Sequence, residues 1–276
     1  MRYYVAPLLI LLAAFFSTPV VCRAGTPAEA NFVDASVASS LGNITSMTWA
    51  PDGSNRLFLT IKTGPVKILQ NGVLLSPSFY TFIPYLGHNE TGVLSLAFDP
   101  NYATNKYVYV FYTASSSIQK IVRLTDNANV GQSLLELKTD IPTKGANHDG
   151  GAIVIAPDHN GNGNYLYWTV GNLGNNQGTA ASRGEAGDLT SLASKLGRMT
   201  LAGAAPSDNP FYNSADGIGP ADFVWARGFR NPFTMILNPT TKKLWVNVVG
   251  DGYEQIFVPQ RGDYVGDVFN ENKQDV

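Results

Sequence analysis

Residues 147–151 (NHDGG) run directly into residues 152–158 (AIVIAPD), and this junction decides the fold. The second part is an apolar run of strand length, and its Pro-Asp ending favours a turn rather than a strand interior. Residues 165–169 (YLYWT) follow, and their aromatic and β-branched side chains favour a second strand. The Gly-Gly step lets the backbone approach a ligand or another strand closely. The stretch therefore predicts a β-hairpin with a histidine at its mouth.

The same unit occurs four times along the chain: an apolar strand, a turn at a proline, and a second strand rich in aromatic and β-branched residues. The first strands with their turns are residues 47–53, 94–100, 153–158 and 235–239, and the second strands are 56–60, 107–112, 165–169 and 244–248. The turn prolines, at 51, 100, 157 and 239, lie 49, 57 and 82 residues apart. A period near 50 residues with a hairpin in each unit is typical of β-propeller blades.

Further strands are predicted around these hairpins. Third strands are expected at residues 66–69, 120–124, 196–201 and 255–258, outer strands at 31–36 and 134–138, and a helix at 188–195 within a long insertion at 171–220. A β-sandwich would also show short strands with regular turns, but the repeated unit favours the propeller. We find no further closing strand after the fourth unit. The predicted fold is an all-β, partial β-propeller of about four blades over residues 25–276.

Composition is that of an ordinary globular protein, with 44% hydrophobic and 14% charged residues in 276. Residues 1–24 have the layout of a secretory signal peptide: Arg2, an apolar run from Val5 to Phe16, and small residues before Gly25. A retained membrane anchor is the alternative interpretation. Cleavage would leave 17 basic and 21 acidic residues, a charge of −4 and no cysteine. We therefore expect a secreted or periplasmic protein without disulfides, and no nucleic-acid partner.

Five motifs follow one another in the chain. They are residues 90–100 (ETGVLSLAFDP), 147–151 (NHDGG), 195–199 (KLGRM) with 208–211 (DNPF), 228–232 (GFRNP), and 249–252 (VGDG) with Glu254 and 262–266 (GDYVG). Together they resemble the soluble quinoprotein glucose dehydrogenase family, also called the glucose/sorbosone dehydrogenase family, over roughly residues 31–270. The resemblance implies a six-bladed propeller, of which about four blades are present here. It also implies pyrroloquinoline quinone (PQQ) and calcium as cofactors.

The resemblance implies an exported oxidoreductase that oxidises an aldose at C1, passes hydride to PQQ, and needs an external electron acceptor. Such an oxidation requires a base for the hydroxyl proton, and histidine suits that role near neutral pH. The implied site residues are His148 as catalytic base, Arg230 and Asn231 at the cofactor, Glu90 and Asn147 at the substrate, and Gly250 and Asp251 at the metal. Glu90 and Asn147 depart from the Gln and Asp of the glucose enzymes.

A structural role is the alternative interpretation of each of these residues. His148 would be a loop histidine, Arg230 would pair with an acid between blades, and residues 250–252 would be a tight turn. Of the other histidines, His88 is interpreted as a surface-loop residue, and His159 lies in the Gly- and Asn-rich turn 158–164. That turn matches the start of a calcium loop but has Thr169 where such a loop needs Glu.

Two other functions remain open at this point. Because the family also contains relatives of Hedgehog-interacting protein, a secreted binding propeller without catalysis is the main alternative. A lactonase-like metal hydrolase built on a propeller is the other. After signal removal, the sequence predicts no membrane association and leaves the oligomeric state undetermined.

Overall fold

The computed structural model describes residues 35–144, 147–158, 161, 163–174, 186–250 and 253–265. Within these ranges the regular secondary structure is almost entirely β, in sixteen strands. The strands are β1 Ile44–Trp49, β2 Arg56–Ile61, β3 Pro65–Gln70, β4 Val73–Leu74, β5 Tyr80–Thr81, β6 Val93–Phe98, β7 Tyr107–Thr113, β8 Ile118–Asn127, β9 Val130–Pro142, β10 Ile153–Pro157, β11 Asn164–Val170, β12 Lys195–Thr200, β13 Val224–Arg227, β14 Pro232–Leu237, β15 Leu244–Val248 and β16 Gln255–Phe257. Two one-turn helices lie wholly within the described ranges, α1 Tyr102–Asn105 and a 3₁₀ turn at Pro220–Phe223.

In the described part of the chain the strands form four antiparallel sheets, each built from consecutive strands. Blade 1 is β1-β2-β3-β4, with β5 also paired to β3; blade 2 is β6–β9; blade 3 is β10–β13; and blade 4 is β14–β16. The first strands of successive blades contact one another, β1 with β6, β6 with β10, and β10 with β14. This is the arrangement of a propeller, in which first strands lie at the centre. The predicted all-β propeller with about four blades is confirmed.

Hydroxyl groups join neighbouring blades near the starts of the first strands. Thr45 Oγ1 donates to the carbonyl of Val93 at 2.7 Å, which ties blade 1 to blade 2. Ser95 Oγ donates to the carbonyl of Gly151 at 2.5 Å, and Thr169 Oγ1 donates to the carbonyl of Pro232 at 2.8 Å. The same end of all four sheets is thereby held together, and the loops before β10 and β14 emerge there.

The turns after the first strands lie at the other end, and their carboxylates bind partners in the same blade. Asp52 pairs with Arg56 at 2.9 Å, and Asp158 pairs with Arg198 at 2.7 Å. In blade 2 the corresponding Asp99 accepts a hydrogen bond from the Tyr109 hydroxyl at 3.1 Å. Buried charges need such partners, because an unpaired buried carboxylate is costly. The repeated Pro and Asp residues thus serve the blade fold at the end away from His148.

Apolar clusters fill the spaces between blades. Phe58 and Phe98 meet edge to face at 5.0 Å between blades 1 and 2. Trp168, which is fully buried, belongs to the cluster between blades 2 and 3, and Trp225 packs with Val246 between blades 3 and 4. Each fully buried large side chain contributes about 1.5–3 kcal/mol relative to exposure. Blade-to-blade packing therefore fixes the positions of the loops that carry the site.

The third strands were predicted correctly, and the outer strand at 134–138 lies inside β9. The helix predicted at 188–195 is wrong, because these residues form bends and turns until β12 begins. Asp188 accepts hydrogen bonds from the backbone and hydroxyl of Thr190, and Ser191 Oγ accepts one from the Ala193 N–H. Such local side-chain bonds compete with the helical pattern.

Several predicted features lie outside the described residues. They are the signal peptide at 1–24, positions 31–34 of the predicted first outer strand, and His159 with most of its turn. Residues 35 and 36, at the end of that outer strand, are not in a strand. Among the residues that the structure describes, no helix is long and apolar enough to span a membrane.

Candidate active site

His148 sits on a tight turn just before β10. Its φ is 67°, and Gly150 and Gly151 follow with φ of 69° and 100°. A side chain at Gly150 would lie 2.7 Å from the carbonyl oxygen of Thr169, so only glycine lets the turn approach β11 this closely. A non-glycine residue with left-handed backbone is strained by about 1–3 kcal/mol, and such strain is concentrated at functional sites. His148 is one of eleven non-glycine residues with positive φ in the described chain, and its conformation requires support from the surrounding structure.

The carboxylate of Glu90 holds the His148 turn in place. Its Oε2 accepts the backbone N–H of His148 at 2.7 Å and that of Asp149 at 3.0 Å. The amide Nδ2 of Asn231 donates to Oε1 at 3.1 Å and to Oε2 at 3.2 Å. Hydrogen bonds to an ionised carboxylate are stronger than neutral ones. One side chain from the loop before β6 thus fixes both the loop before β10 and the loop before β14.

The ring of His148 is oriented by Asn172, which follows β11. His148 Nδ1 lies 2.5 Å from Asn172 Oδ1, and the backbone N–H of Gly174 also donates to that oxygen, at 3.3 Å. Because the Gly174 N–H requires an acceptor, Asn172 turns its oxygen to this side, and Nδ1 of His148 is the protonated ring nitrogen. In a neutral imidazole with this orientation, Nε2 is the nitrogen that can accept a proton.

Sequence reasoning missed Asn172, although the hairpin register contains a signal for it. Ile153 pairs with Trp168, and the same antiparallel register continued backwards places His148 opposite Leu173. The hydrogen bond from the Leu173 N–H to the His148 carbonyl, at 3.2 Å, shows this relation in the structure. A polar residue directly after the second strand of the hairpin was therefore a candidate partner for His148.

Arg230 and Asn231 lie directly before β14, beside the Asn172 segment. The backbone carbonyl of Arg230 accepts the N–H of Asn172 at 2.7 Å, and the Arg230 guanidinium donates to the carbonyl of Val249 at 2.7 Å. The backbone carbonyl of Asn231 accepts the Val249 N–H at 2.9 Å. Both side chains are buried, with 9% of Arg230 and 1% of Asn231 exposed. The structure therefore brings Glu90, His148, Arg230 and Asn231 together.

Asn147 lies at the exposed rim of this cluster. Its Oδ1 accepts a hydrogen bond from Asn89 Nδ2 at 3.2 Å, and the Asn89 carbonyl accepts one from Lys62 Nζ. A cavity of about 230 Å³ lies beside this rim. Its lining mixes polar residues, including Lys62, Asn89 and Glu90, with apolar residues of the first strands, and does not include His148. Glu90, Gly150 and Gly151 line the cavity and thus connect it with the histidine turn.

Asp149, next to the histidine, is fully buried. Burial raises the pKa of its carboxyl above the usual value, the hydrogen bond from Thr143 partly opposes this, and the nearby charge of Glu90 adds to the increase. The Thr143 hydroxyl donates to Oδ1 at 2.5 Å. The other carboxyl oxygen is buried without a hydrogen-bond partner in the described part of the chain. An acid in this state favours protonation more than a surface aspartate does.

Of the two predicted metal ligands, the structure describes only Gly250. Gly250 ends the segment after β15, and Asp251 lies outside the described residues. Among the residues that the structure does describe, no three His, Cys, Asp or Glu side chains come together in a cluster that could hold a metal ion. Calcium binding at these two positions stays a prediction.

Residues 41–266 match the family model described as glucose/sorbosone dehydrogenase. The chain belongs to this family. The match spans all four blades and the loops carrying the buried polar cluster, and it agrees with the resemblance drawn from the sequence motifs.

Curated relatives include sugar dehydrogenases. The chain is 28% identical over 271 residues to aldose sugar dehydrogenase YliI of Escherichia coli, covering 92% of this chain and 67% of that protein. It is 26% identical over 263 residues to quinoprotein glucose dehydrogenase B of Acinetobacter calcoaceticus, covering 86% and 52%. Mouse Hedgehog-interacting protein is 28% identical over 222 residues, covering 71% and 30%. The chain spans about half to two thirds of the length of the two dehydrogenases.

Solved structures show the same fold. The apo form of the soluble aldose sugar dehydrogenase of Escherichia coli superposes with a TM-score of 0.67 at 25% identity, covering 80% of this chain and 62% of that one. The PQQ-bound aldose sugar dehydrogenase of Streptomyces coelicolor superposes with a TM-score of 0.68 at 23% identity, covering 84% and 64%.

Proposed function

We propose that this chain belongs to an exported sugar dehydrogenase that oxidises an aldose at C1, with PQQ as hydride acceptor and His148 as catalytic base. The orientation of the His148 ring carries the proposal. Asn172 and the Gly174 N–H together fix the proton on Nδ1, so Nε2 is the basic nitrogen. The carboxylate that holds the turn and the residue that orients the ring both support this role.

In the proposed reaction His148 Nε2 takes the proton of the C1 hydroxyl. The C1–H bond breaks with both of its electrons, so that the sugar loses a proton and a hydride and a C=O bond forms at C1. Asn172 Oδ1, which accepts from Nδ1–H, stabilises the positive charge that develops on the ring. The product is the sugar lactone, and a further acceptor must remove the two electrons.

Arg230 and Asn231 are the residues we propose to hold the quinone. Arg230 offers a buried planar cation, which suits a flat, electron-poor ring system and the negative charge of its reduced form. Buried amide atoms nearby, Asn231 Oδ1 and Asn172 Nδ2, have no hydrogen-bond partner in the described residues, which fits a polar ligand at this place. PQQ, when bound, supplies a strong two-electron acceptor. We propose calcium near Gly250 and Asp251 as a charge that polarises it.

The segment at residues 1–24 supports export to the periplasm or the extracellular space, with cleavage before Gly25. We propose that the remaining chain, residues 25–276, forms the propeller domain. Its substrate is a small sugar, and its electrons pass to an external acceptor.

The decisive experiment uses the full-length protein, incubated with PQQ and Ca²⁺ and assayed by dye reduction with a panel of aldoses. Quinone binding is followed separately by absorbance. We expect aldose-dependent reduction, and a loss of roughly 10²–10⁴-fold in kcat for His148→Ala with quinone binding retained. His88→Ala is the matched control and should change the rate little. Absence of quinone binding, or full activity of His148→Ala, would overturn the proposal.

A binding propeller without catalysis is the second candidate. The similarity to Hedgehog-interacting protein favours it, since the compared region covers 71% of this chain. It predicts a folded protein that neither binds PQQ nor reduces dye with any aldose. Glu90 and Asn231 would then stabilise blade contacts only.

A further inference from the structure

We infer that a groove between blades 3 and 4, at the end of the blades away from His148, binds a small organic oxyanion such as an aryl phosphate or an aryl carboxylate. The groove has a volume of about 400 Å³. Small-molecule sites commonly have volumes of about 300–1,000 Å³. The lining comes from the turn after β10, the strands β11 and β13, the turn between β14 and β15, and the segment after β16. The inference is independent of the proposed function, because none of the described residues that line the groove belongs to the candidate active site.

Three cationic residues line this one groove. Lys242 and Lys243 come from the turn between β14 and β15, and Arg261 comes from the segment after β16. All three are exposed, and neither lysine forms an ion pair within the described part of the chain. The protein as a whole has a formal charge of −2, so the positive charge is a local feature of this groove. Like charges gathered around one groove repel one another, and an anion relieves that repulsion.

The acidic residue in the described lining, Asp158, does not cancel this charge. Asp158 pairs with Arg198 at 2.7 Å, and the two side chains are 1% and 0% exposed. Asp208 also pairs with Arg198, at 2.8 Å. Asp263, which is not among the lining residues, accepts the backbone N–H of Gln260 at 2.6 Å. The guanidinium beside Asp158 compensates its carboxylate, so the groove has a net positive charge.

The floor of the groove is apolar and firmly packed. Trp225 and Tyr167 are buried, and their rings meet edge to face with 5.8 Å between the centroids. The backbone N–H of Gly262 donates to the Trp225 carbonyl at 2.8 Å, which holds the segment after β16 against blade 3. The other apolar lining residues are Ala156, Pro157, Leu244 and Pro259. A ligand with a flat apolar body can pack on this floor while its charged group meets the exposed cations.

Backbone contacts hold the cationic residues in place. Arg261 Nε donates to the Asp208 carbonyl at 3.0 Å, and among the described contacts of Arg261 only this nitrogen is engaged. Both Nη groups therefore remain for an oxyanion. The lysine turn is closed by two hydrogen bonds of 2.9 Å, from the Lys242 N–H to the Asn238 carbonyl and from the Asn238 N–H to the Lys243 carbonyl. A preorganised site of this kind loses less entropy when a ligand binds.

Titration calorimetry and thermal unfolding of the full-length protein test the site with phenyl phosphate, benzoate, inorganic phosphate and phenol. We expect an aryl oxyanion to bind and to raise the Tm by about 5–10 °C at about 100 times its Kd. The relative Kd of phenyl phosphate and benzoate distinguishes a phosphate ester from a carboxylate. Inorganic phosphate and phenol should bind at least about tenfold more weakly, because each lacks one part of the ligand. The affinity should also fall as the salt concentration increases.

Variants of the cationic residues locate the binding. Lys242→Gln, Lys243→Gln and Arg261→Gln should each weaken phenyl phosphate binding by roughly three- to tenfold, and the triple variant should lose it. Lys67→Gln in blade 1 removes a lysine outside the groove and is the matched control. The Tm without ligand checks that each variant is folded.

Three results would overturn the inference. They are no binding of either aryl oxyanion, unchanged binding by the folded triple variant, and binding of inorganic phosphate as tight as that of phenyl phosphate. A response to a polyglutamate peptide without any response to the aryl oxyanions belongs to the first of these, and it would identify the groove as a docking surface for an acidic protein segment.

Discussion

Replacing Gly171 by alanine should disrupt the candidate site with a single methyl group. An added Cβ would lie 2.7 Å from the carbonyl oxygen of Arg230 and closer still to that of His148. Both obstacles are backbone atoms of site residues, so neither can rotate away. Ordinary carbon–oxygen contacts need about 3.2 Å or more, so the two loops must separate by roughly half an ångström to one ångström.

The expected cost has two parts. Overpacking of this kind destabilises by about 1–3 kcal/mol. The displacement also moves the His148 turn relative to Asn172, whose N–H donates to the Arg230 carbonyl. A misplacement of reacting groups near 1 Å can lower the rate of catalysis by about 10²-fold. Gly171→Ala should therefore show both a lower Tm and a reduced kcat in the PQQ-loaded dye assay.

Gly187→Ala is the matched control, because no atom lies within 4 Å of its added Cβ. It should leave the Tm and kcat close to those of the wild type. If Gly171→Ala equals the control in both measurements, the close approach of the loops before β10 and β14 is not as described, and the reasoning is refuted.

Three further predictions follow from the site and from blade packing. Asn172→Ala removes the acceptor that fixes Nδ1–H of His148, and it should lower kcat by roughly 10²-fold and shift the pH–rate profile, measured by dye reduction, while quinone binding is unchanged. Asp149→Asn should raise the Tm increasingly as pH rises above the range in which an ordinary aspartate titrates. The raised pKa of Asp149 means that the folded protein binds its proton more tightly than the unfolded chain, so the wild type loses this stabilisation as pH increases through the folded pKa. Arg56→Met removes the guanidinium that lies 2.7 Å from the buried Asp126 carboxylate. It should lower the free energy of unfolding, measured with urea, by about 3–5 kcal/mol. Retention of full stability would show that the pair contributes nothing.

The blades could be predicted because their signal is local. Strand propensity and turn prolines recur within each unit, and antiparallel neighbours lie next to one another in sequence. β13 was missed because it has only four residues and follows a one-turn 3₁₀ helix. The predicted helix at 188–195 failed where Asp188 and Ser191 bind nearby backbone groups instead.

The candidate site could be predicted only as a set of residue types. Family order identified His148, Glu90 and Asn231, and the structure brings them together. Glu90 accepts hydrogen bonds from two backbone N–H groups. The sequence cannot indicate these bonds, because every residue except proline carries the same backbone donor. Asn172 required the hairpin register, which is defined only once the two strands are paired.

The Glu90 carboxylate also has a consequence for how the protein acquires its site. It lies 58 residues from His148 and 141 residues from Asn231 along the chain, while the contacts inside each blade are between near neighbours in sequence. Contacts of such separation form after local hairpins, because closing long loops first costs chain entropy. The hairpins of each blade can therefore form early, but the site arises only when three blades have docked in the correct order.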